Sequence, residues 1–199
     1  MPVIVWDCDA KQRHIVPMRW GFPQAKDWRR PQPIHARSES IETTKAFAEA
    51  FANGQRGIVT MKTFNEGKEL SAMKTEQWTL DPQDGVPRGF AFVWRRFDLH
   101  DLPQPMLACV MVTVPANKLL RNTILEHDPD PRMPAILEDA EWKTWLGEND
   151  ATPEQAKAVL RTMEGVNWKI APEPKKAKER NTTKARPKPE NREPEPGLF

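Results

Sequence analysis

Apolar residues in this chain occur mostly in short runs, separated by polar and proline-containing segments. Runs of about four to eight residues with such punctuation are typical of β-strands, and Asp84-Gly85 is a turn signal of the kind that precedes one. The predicted strands cover residues 3–6, 14–21, 56–64, 75–80, 90–97 and 108–114, with a polar turn between the third and the fourth. The last two are apolar almost throughout and supply enough side chains for a real core.

Helical spacing is confined to a few segments. Apolar residues recur at helical intervals over residues 40–53, and residues 116–125 and 141–146 predict short helices. Thr152-Pro153-Glu154-Gln155 combines a cap, a first-turn proline and a capping-box partner, and Gly165 is expected to end that helix. Because strands and helices do not alternate regularly, we predict an α+β fold: a bent antiparallel sheet or open β-barrel-like core with peripheral helices.

The end of the chain has a different composition from the rest. Residues 172–199 hold eight Lys or Arg and five Glu among many prolines, with almost no apolar content. Such a segment buries too little surface to offset its ordering entropy, so we predict one domain over residues 1–171 and a disordered tail over 172–199. A merely solvated tail and a weak, non-specific attraction to phosphates are both compatible with this composition.

Composition also bounds the class of protein. No apolar stretch approaches the roughly 18 residues that span a membrane, and the first residues lack the features of a signal peptide. Cys8 and Cys109 are too few for a disulfide framework, and Cys109 lies in an apolar run typical of an inert core thiol. We therefore expect a reduced, cytoplasmic, monomeric protein with no membrane partner and no cofactor.

Positive charge is concentrated between residues 11 and 37. This segment contains seven Lys or Arg and a single acid, Asp27, and Trp20, Phe22 and Trp28 are interleaved with the basic residues. Cations that meet phosphates and aromatic faces that stack on bases are the two ingredients of single-strand binding. The predicted DNA-binding residues are Arg19, Trp20, Trp28, Arg29, Arg30 and Arg37. The alternative is a solvated loop with core tryptophans.

Several islands of sequence resemble the SOS-response-associated peptidase family, the abasic-site processing proteins. They are Met18-Arg19-Trp20-Gly21-Phe22, His35-Ala36-Arg37-Ser38-Glu39, Phe64-Asn65-Glu66, and His127-Asp128 followed by Arg132-Met133-Pro134. Their order and rough spacing match the family from residue 14 to about residue 146. The resemblance implies single-stranded DNA with abasic sites as the partner, a role in the SOS response to DNA damage, and nucleoid association when bound to DNA.

The resemblance also implies a chemistry. In the family, the amine and thiol of an N-terminal Cys capture the aldehyde of an abasic site as a stable thiazolidine. The resemblance also implies enzyme activity of the autopeptidase or lyase type. Glu66 matches the family's catalytic Glu, and its carboxylate beside an apolar strand is expected to have a raised pKa. His127 matches the family's His, although Pro129-Asp130-Pro131 is inserted before the next match. Arg37 matches an arginine that faces DNA phosphate, and an ion pair with Glu39 is the structural alternative.

Two positions depart from the family pattern. His35 stands where the family has an Asn, which indicates either a retuned catalytic site or a site no longer selected for the original chemistry. Pro2 stands near the start where the family has its Cys. Either the true start lies upstream, or this is a divergent and inactive member. The rival hypothesis is a non-catalytic DNA-binding or protein-interaction module, and a metal site at His127, Asp128 and Asp130 is a weaker alternative, so we predict no metal.

Overall fold

The computed structural model describes residues 1–24, 27–165 and 167–173, and most of its regular structure is β-strand. The strands are β1 (Pro2–Asp7), β2 (Gln12–Pro17), β3 (Arg19–Trp20), β4 (His35–Arg37), β5 (Arg56–Met61), β6 (Phe64–Ser71), β7 (Lys74–Pro82), β8 (Arg88–Phe97), β9 (Met106–Pro115), β10 (Arg132–Pro134), β11 (Ile136–Leu137) and β12 (Trp168–Pro172). The helices are α1 (Ala48–Ala52), α2 (Lys118–Arg121), α3 (Trp142–Leu146) and α4 (Pro153–Ala158), with 3-10 turns at Ser38–Ser40 and Asp139–Glu141.

The larger sheet has nine strands and curls into a half barrel. Its main path is β10-β9-β8-β5-β1-β2, with antiparallel neighbours throughout, and β11 extends it by pairing with β8. β3 and β4 both pair with β9 in the parallel sense. The α+β prediction, with its bent antiparallel sheet and peripheral helices, is confirmed. The sequence held no signal for the two short parallel pairings.

A second sheet, β12-β7-β6, lies against the first through Phe64. The Phe64 ring centroid lies 6.0 Å from that of Phe90 on β8 and 5.4 Å from that of Trp168 on β12. Edge-to-face aromatic contacts of this kind add about 0.5–1.5 kcal/mol beyond area burial. Phe64 therefore fixes the start of β6 to the core, and with it the residues that follow on that strand.

The core also contains a buried cation. Arg56 is almost fully buried, and its guanidinium donates to the carbonyls of Trp145 at 2.5 Å and Phe51 at 3.2 Å. The Trp145 indole donates in turn to the Gly57 carbonyl at 2.9 Å. These bonds satisfy polar groups that would otherwise be costly to bury, and they connect α1, α3 and β5.

Several predicted boundaries were wrong. α1 covers only Ala48–Ala52 of the helix predicted over residues 40–53, and residues 41–47 form turns in which the Ser40 carbonyl accepts from the amides of Thr43 and Thr44. Ile41 and Phe51 are buried, as their spacing indicated. The helix that begins at the Thr152 capping box ends at Ala158, well before Gly165. Residues 65–71, which fall in the predicted polar turn, belong to strand β6, and the short strands β4, β10, β11 and β12 were not predicted.

β12 ends at Pro172, one residue beyond the predicted domain boundary, while residues 174–199 lie outside the described part, so the predicted tail stays a prediction. None of the described helices is both long enough and apolar enough to cross a membrane.

Candidate active site

A cavity of about 550 Å³ opens where β6 meets the strands that flank β9, and we call it the Glu66 cavity. It is lined by residues of β3, β4, β5, β6, β9 and β10 and by neighbouring loop residues: Trp20, Ile34, His35, Met61, Thr63, Phe64, Asn65, Glu66, Met111, Thr113, Arg132, Met133 and Pro134. All four sequence islands contribute to this lining, the fourth through Arg132, Met133 and Pro134. A concave, mostly apolar site with a few polar groups is the usual form of a ligand-binding site.

The parallel pairings with β9 set two rings side by side at the cavity. Trp20 pairs with Cys109, and His35 pairs with Met111 two residues further along β9. The ring centroids of Trp20 and His35 are 6.3 Å apart, and the indole donates to the Ile34 carbonyl at 3.1 Å. Trp20 nevertheless remains 46% exposed. A fixed, partly exposed indole is suited to stacking on a nucleobase.

Glu66 supplies the group with the most perturbed acidity in the cavity. It follows Phe64 by two residues on β6, so both side chains lie on the same face of the strand, where Phe64 is buried. Burial is the larger cause that raises the pKa of Glu66 to about 7, and the negative charge of Asp128 raises it further. A carboxyl that is half protonated near neutral pH is suited to both donating and accepting a proton.

The remaining polar groups differ in character from Glu66. Partial burial lowers the pKa of His35, so its imidazole is neutral near pH 7 and offers one donor and one acceptor nitrogen. Asn65, next to Glu66, brings a primary amide to the cavity, although the family's Asn position is occupied by His35. Asn65 was not predicted as a site residue, because the polar character of β6 concealed the strand that presents it.

One wall of the cavity is an arginine held firmly in place. Arg132 donates to both carboxylate oxygens of Glu39 at 2.7 Å and to the Thr113 carbonyl at 2.9 Å, and its side chain is 18% exposed. The Arg132 hydrogen bonds are the main cause that lowers the pKa of Glu39 to about 2. Arg132 lies in a quoted motif but was not predicted as a site residue, because its partner is 93 residues away in sequence.

Arg37 has a different partner from the one considered in the sequence. Its guanidinium pairs with Asp130 at 2.6 Å, whereas Glu39, the alternative partner, is bound by Arg132. Arg37 does not line the cavity but follows His35 by two residues on β4, on the same face of that strand. The predicted contact of Arg37 with DNA phosphate stays a prediction.

Trp28, Arg29 and Arg30 lie in the loop between β3 and β4, and Arg19 on β3 contacts that loop. The Arg19 guanidinium donates to the carbonyls of Trp28 at 2.6 Å and Arg29 at 2.7 Å, and it lies 5.5 Å from the centre of the Trp28 ring. Arg29 lies 4.7 Å from the same ring, and Arg30 pairs with Asp27 at 3.5 Å. Arg19 and Trp28 thus hold the loop together, while Arg30 projects into solvent.

The basic segment also includes Arg13, whose side chain contacts a different part of the fold. Arg13 lies on β2, the strand at the opposite end of the main sheet path from β9 and β10, where it pairs with Glu148 at 2.5 Å and lies over Trp142. Arg13 is therefore engaged by Glu148 and Trp142, and the predicted binding of DNA by the 11–37 segment stays a prediction.

His127 is separate from the Glu66 cavity. Its side chain is largely exposed, its Nε2 lies 3.7 Å from Glu126, and it lines a smaller pocket of about 60 Å³ together with Gly67 and Asp128. The structure thus brings Glu66 and His35 to one cavity and leaves His127 beside it, and the catalytic role of His127 stays a prediction. Within the described residues, no group of three or more His, Cys, Asp or Glu side chains is arranged to hold a metal ion.

Neither thiol of the chain is among the residues that line the cavity. Cys109 is fully buried, as predicted for a core thiol, and burial raises its pKa to about 12. Cys8 is exposed in the turn between β1 and β2. A protonated, buried thiol is a poor nucleophile, and the exposed thiol of Cys8 lies outside the cavity lining.

Comparison with known proteins gives a consistent result for family and fold. A family model described as SOS response associated peptidase (SRAP) matches residues 1–178. Abasic site processing protein YoqW of Bacillus subtilis (strain 168) is 25% identical over 156 residues, covering 77% of this chain and 66% of that protein. Abasic site processing protein YobE of the same organism is 24% identical over 155 residues, covering 76% of this chain and 67% of its own. The chain thus spans about two thirds of the length of these relatives.

Solved structures with the same fold have low sequence identity to this chain. A crystal structure of a protein from Bordetella bronchiseptica superposes with a TM-score of 0.70 at 22% identity, covering 86% of this chain and 82% of that one. A second, from Bacteroides thetaiotaomicron, gives a TM-score of 0.69 at 19% identity, covering 85% and 72%. At these identities the likeness shows the fold alone.

Proposed function

Because the chain belongs to the SOS response associated peptidase (SRAP) family, we propose that it acts in the response to DNA damage by binding single-stranded DNA and processing abasic sites. The names of YoqW and YobE as abasic site processing proteins support this substrate. Trp20 stacks on a base beside the lesion, and the baseless sugar enters the Glu66 cavity.

The observation that carries the proposal is the acidity of Glu66 in a cavity beside an exposed indole. Opening of an abasic sugar to its aldehyde, and attack on that aldehyde, each require a proton to move. Glu66, with a pKa of about 7, exchanges that proton near neutral pH. His35, neutral at this pH, accepts or donates one hydrogen bond to the sugar hydroxyls. His127 would need to move in order to take part.

Covalent capture is a separate step in this proposal. The thiazolidine that the family resemblance implies needs a thiol next to a free amine, and Cys8 and Cys109 are both internal. A polypeptide of residues 1–199 should therefore give only adducts that reverse on denaturation. The position of both thiols outside the cavity lining favours a second candidate function, a DNA-binding protein that holds abasic single strands without covalent chemistry.

Equilibrium binding to a labelled single-stranded oligonucleotide with one central abasic site tests the proposal. Trp20→Ala should weaken binding by about 1–3 kcal/mol, while Trp20→Phe should retain most of it because an aromatic face remains. Ile15→Ala, which removes an apolar side chain exposed on β2, is the control and should have no effect. Binding that survives Trp20→Ala unchanged, or that ignores salt, would remove the proposal.

A further inference from the structure

The segment between α2 and β10 brings carboxylates to the same region as the predicted DNA contacts. Glu126-His127-Asp128-Pro129-Asp130 carries three acids, and two of them pair with cations. Glu126 lies 3.4 Å from Lys68, and Asp130 lies 2.6 Å from Arg37. The Asp130 carboxylate therefore already binds Arg37, the arginine that the family resemblance assigns to a DNA phosphate.

The Arg37–Asp130 pair is built in a way that permits exchange. The Arg37 side chain is 62% exposed and that of Asp130 is 49% exposed. The Asp130 amide donates to the Asp128 carboxylate at 2.9 Å, and the Pro131 carbonyl accepts from the Ala116 amide at 2.8 Å, so the segment is anchored beside its acidic tip. An exposed pair of this kind contributes little to stability, and solvent or another anion replaces the carboxylate at low cost.

Arg132 shows the contrasting case at the same place in the fold. It makes three hydrogen bonds to Glu39 and Thr113 and is only 18% exposed, whereas its distance to Asp130 is 3.9 Å. Replacing Glu39 would leave a largely buried guanidinium with unsatisfied donors, which is costly. Of these two arginines, Arg37 is therefore the one whose carboxylate a phosphate can displace.

We propose that Asp130 is an intramolecular competitor for the DNA phosphate at Arg37, so that a single strand must displace this carboxylate in order to bind. The inference rests on the proposed function, since it needs a single-strand ligand. Carboxylates and phosphates present oxygens to a guanidinium in the same manner, which makes exchange between them direct. Asp130 then weakens backbone binding to any single strand, while the contacts inside the Glu66 cavity, which would recognise the lesion, are unaffected.

A double-mutant cycle on Arg37 and Asp130, with single-strand affinity as the readout, tests this competition. Asp130→Asn should tighten binding about two- to fivefold at low salt, which is the range expected for an exposed ion pair. In the Arg37→Ala background the same change should give a clearly smaller gain, because the pair with Arg37 is gone and only the 3.9 Å contact with Arg132 remains. The gain should also shrink as salt rises, because the pair is screened.

Asp98→Asn is the matched control for the loss of one negative charge. Asp98 is exposed and pairs at 3.3 Å with Arg96, which is 61% exposed, and neither residue lines the Glu66 cavity. Its effect on binding should be smaller than that of Asp130→Asn. If Asp130→Asn lowers the melting temperature, Asp130→Ala replaces it in the cycle.

Each outcome of the cycle decides the question. An equal gain from Asp130→Asn with Arg37 present and with Arg37→Ala would indicate general repulsion and overturn the competition, while the proposed function would stand. No gain in a wild-type protein that binds DNA would overturn it as well. Binding that appears only with Asp130→Asn would support the competition in its strongest form. If neither the wild-type protein nor the Asp130→Asn variant binds single strands, the proposed function fails, and the competition fails with it.

Discussion

Glu39 and Glu66 adjoin the same cavity but have opposite electrostatic environments. Glu39 receives two hydrogen bonds from Arg132, and its pKa falls to about 2. Glu66 is half-buried on β6 and makes no ion pair within the described residues, and partial burial together with the charge of Asp128 raises its pKa to about 7. The same type of side chain therefore has two roles at this cavity. Glu39 holds Arg132 in place, whereas Glu66 is available to exchange a proton.

The two glutamates also make opposite contributions to stability as pH changes. A carboxyl with a lowered pKa in the folded state stabilises the protein above its ordinary pKa, and this contribution is lost as pH falls through the folded value. A carboxyl with a raised pKa has the reverse effect: it costs nothing while protonated and becomes destabilising as pH rises towards its folded pKa. The windows are therefore about pH 2 to 4.5 for Glu39 and about 4.5 to 7 for Glu66.

The largest expected effect on stability belongs to Glu66. Glu66→Gln should make the protein more stable than wild type above pH 7, by at most about 3 kcal/mol at about 1.4 kcal/mol per pKa unit, and this advantage should vanish near pH 4.5. Denaturant unfolding at a series of pH values measures it. Glu69→Gln on the same strand controls for the loss of a charge. An advantage that does not change with pH would show that burial of Glu66 is not costly.

Glu39→Gln should have a smaller effect of the opposite sign. It should destabilise the protein by about 1 kcal/mol at pH 7, because Glu39 is half exposed and solvent screens its pair with Arg132. The loss should diminish as pH falls from about 4.5 towards 2, where the wild-type carboxylate is protonated too. The same unfolding series measures this change. A loss that persists undiminished at low pH would assign it to packing and not to charge.

Asp128→Asn should have the smallest effect of the three. It removes the minor cause of the raised Glu66 pKa and keeps the side-chain oxygen that accepts from the Asp130 amide. The upper end of the Glu66 window, near pH 7, should therefore move downwards only slightly, because burial of Glu66 is unchanged. If the free energy of unfolding depends on pH in the same way in the variant and the wild type, Asp128 does not act on Glu66.

The sequence predicted those parts of the fold whose signals are local. The apolar runs of β8 and β9 and the Thr152 capping box correspond to observed elements, because burial on both faces and a cap with its partner three residues on are readable in one segment. Most of β6 falls in the predicted turn, because the strand is polar over most of its length. It forms by pairing with β7 and is anchored to the core by Phe64. Pairing of this kind between strands leaves no periodic pattern of apolar residues in the sequence.

The site was predictable to a similar extent. The motifs identified Glu66, His35 and Trp20, and all three line one cavity, which is consistent with the resemblance that selected them. The ion pairs of Arg132 with Glu39 and of Arg37 with Asp130 each join residues more than 90 apart. They depend on the register of β4, β9 and β10, and no spacing along the chain indicates that register.

The most direct test of the account is the titration of the Glu66 carboxyl carbon by NMR, with Glu66→Gln identifying its signal. The account predicts a midpoint near 7 in the free protein, in accord with its burial. It also predicts that a single-stranded oligonucleotide with one abasic site displaces this signal, while an undamaged oligonucleotide of the same length does so much less. A midpoint near the ordinary value of 4.5, or a signal that does not respond to the abasic strand, would contradict the claim that Glu66 is the proton-exchanging group of a lesion-binding cavity.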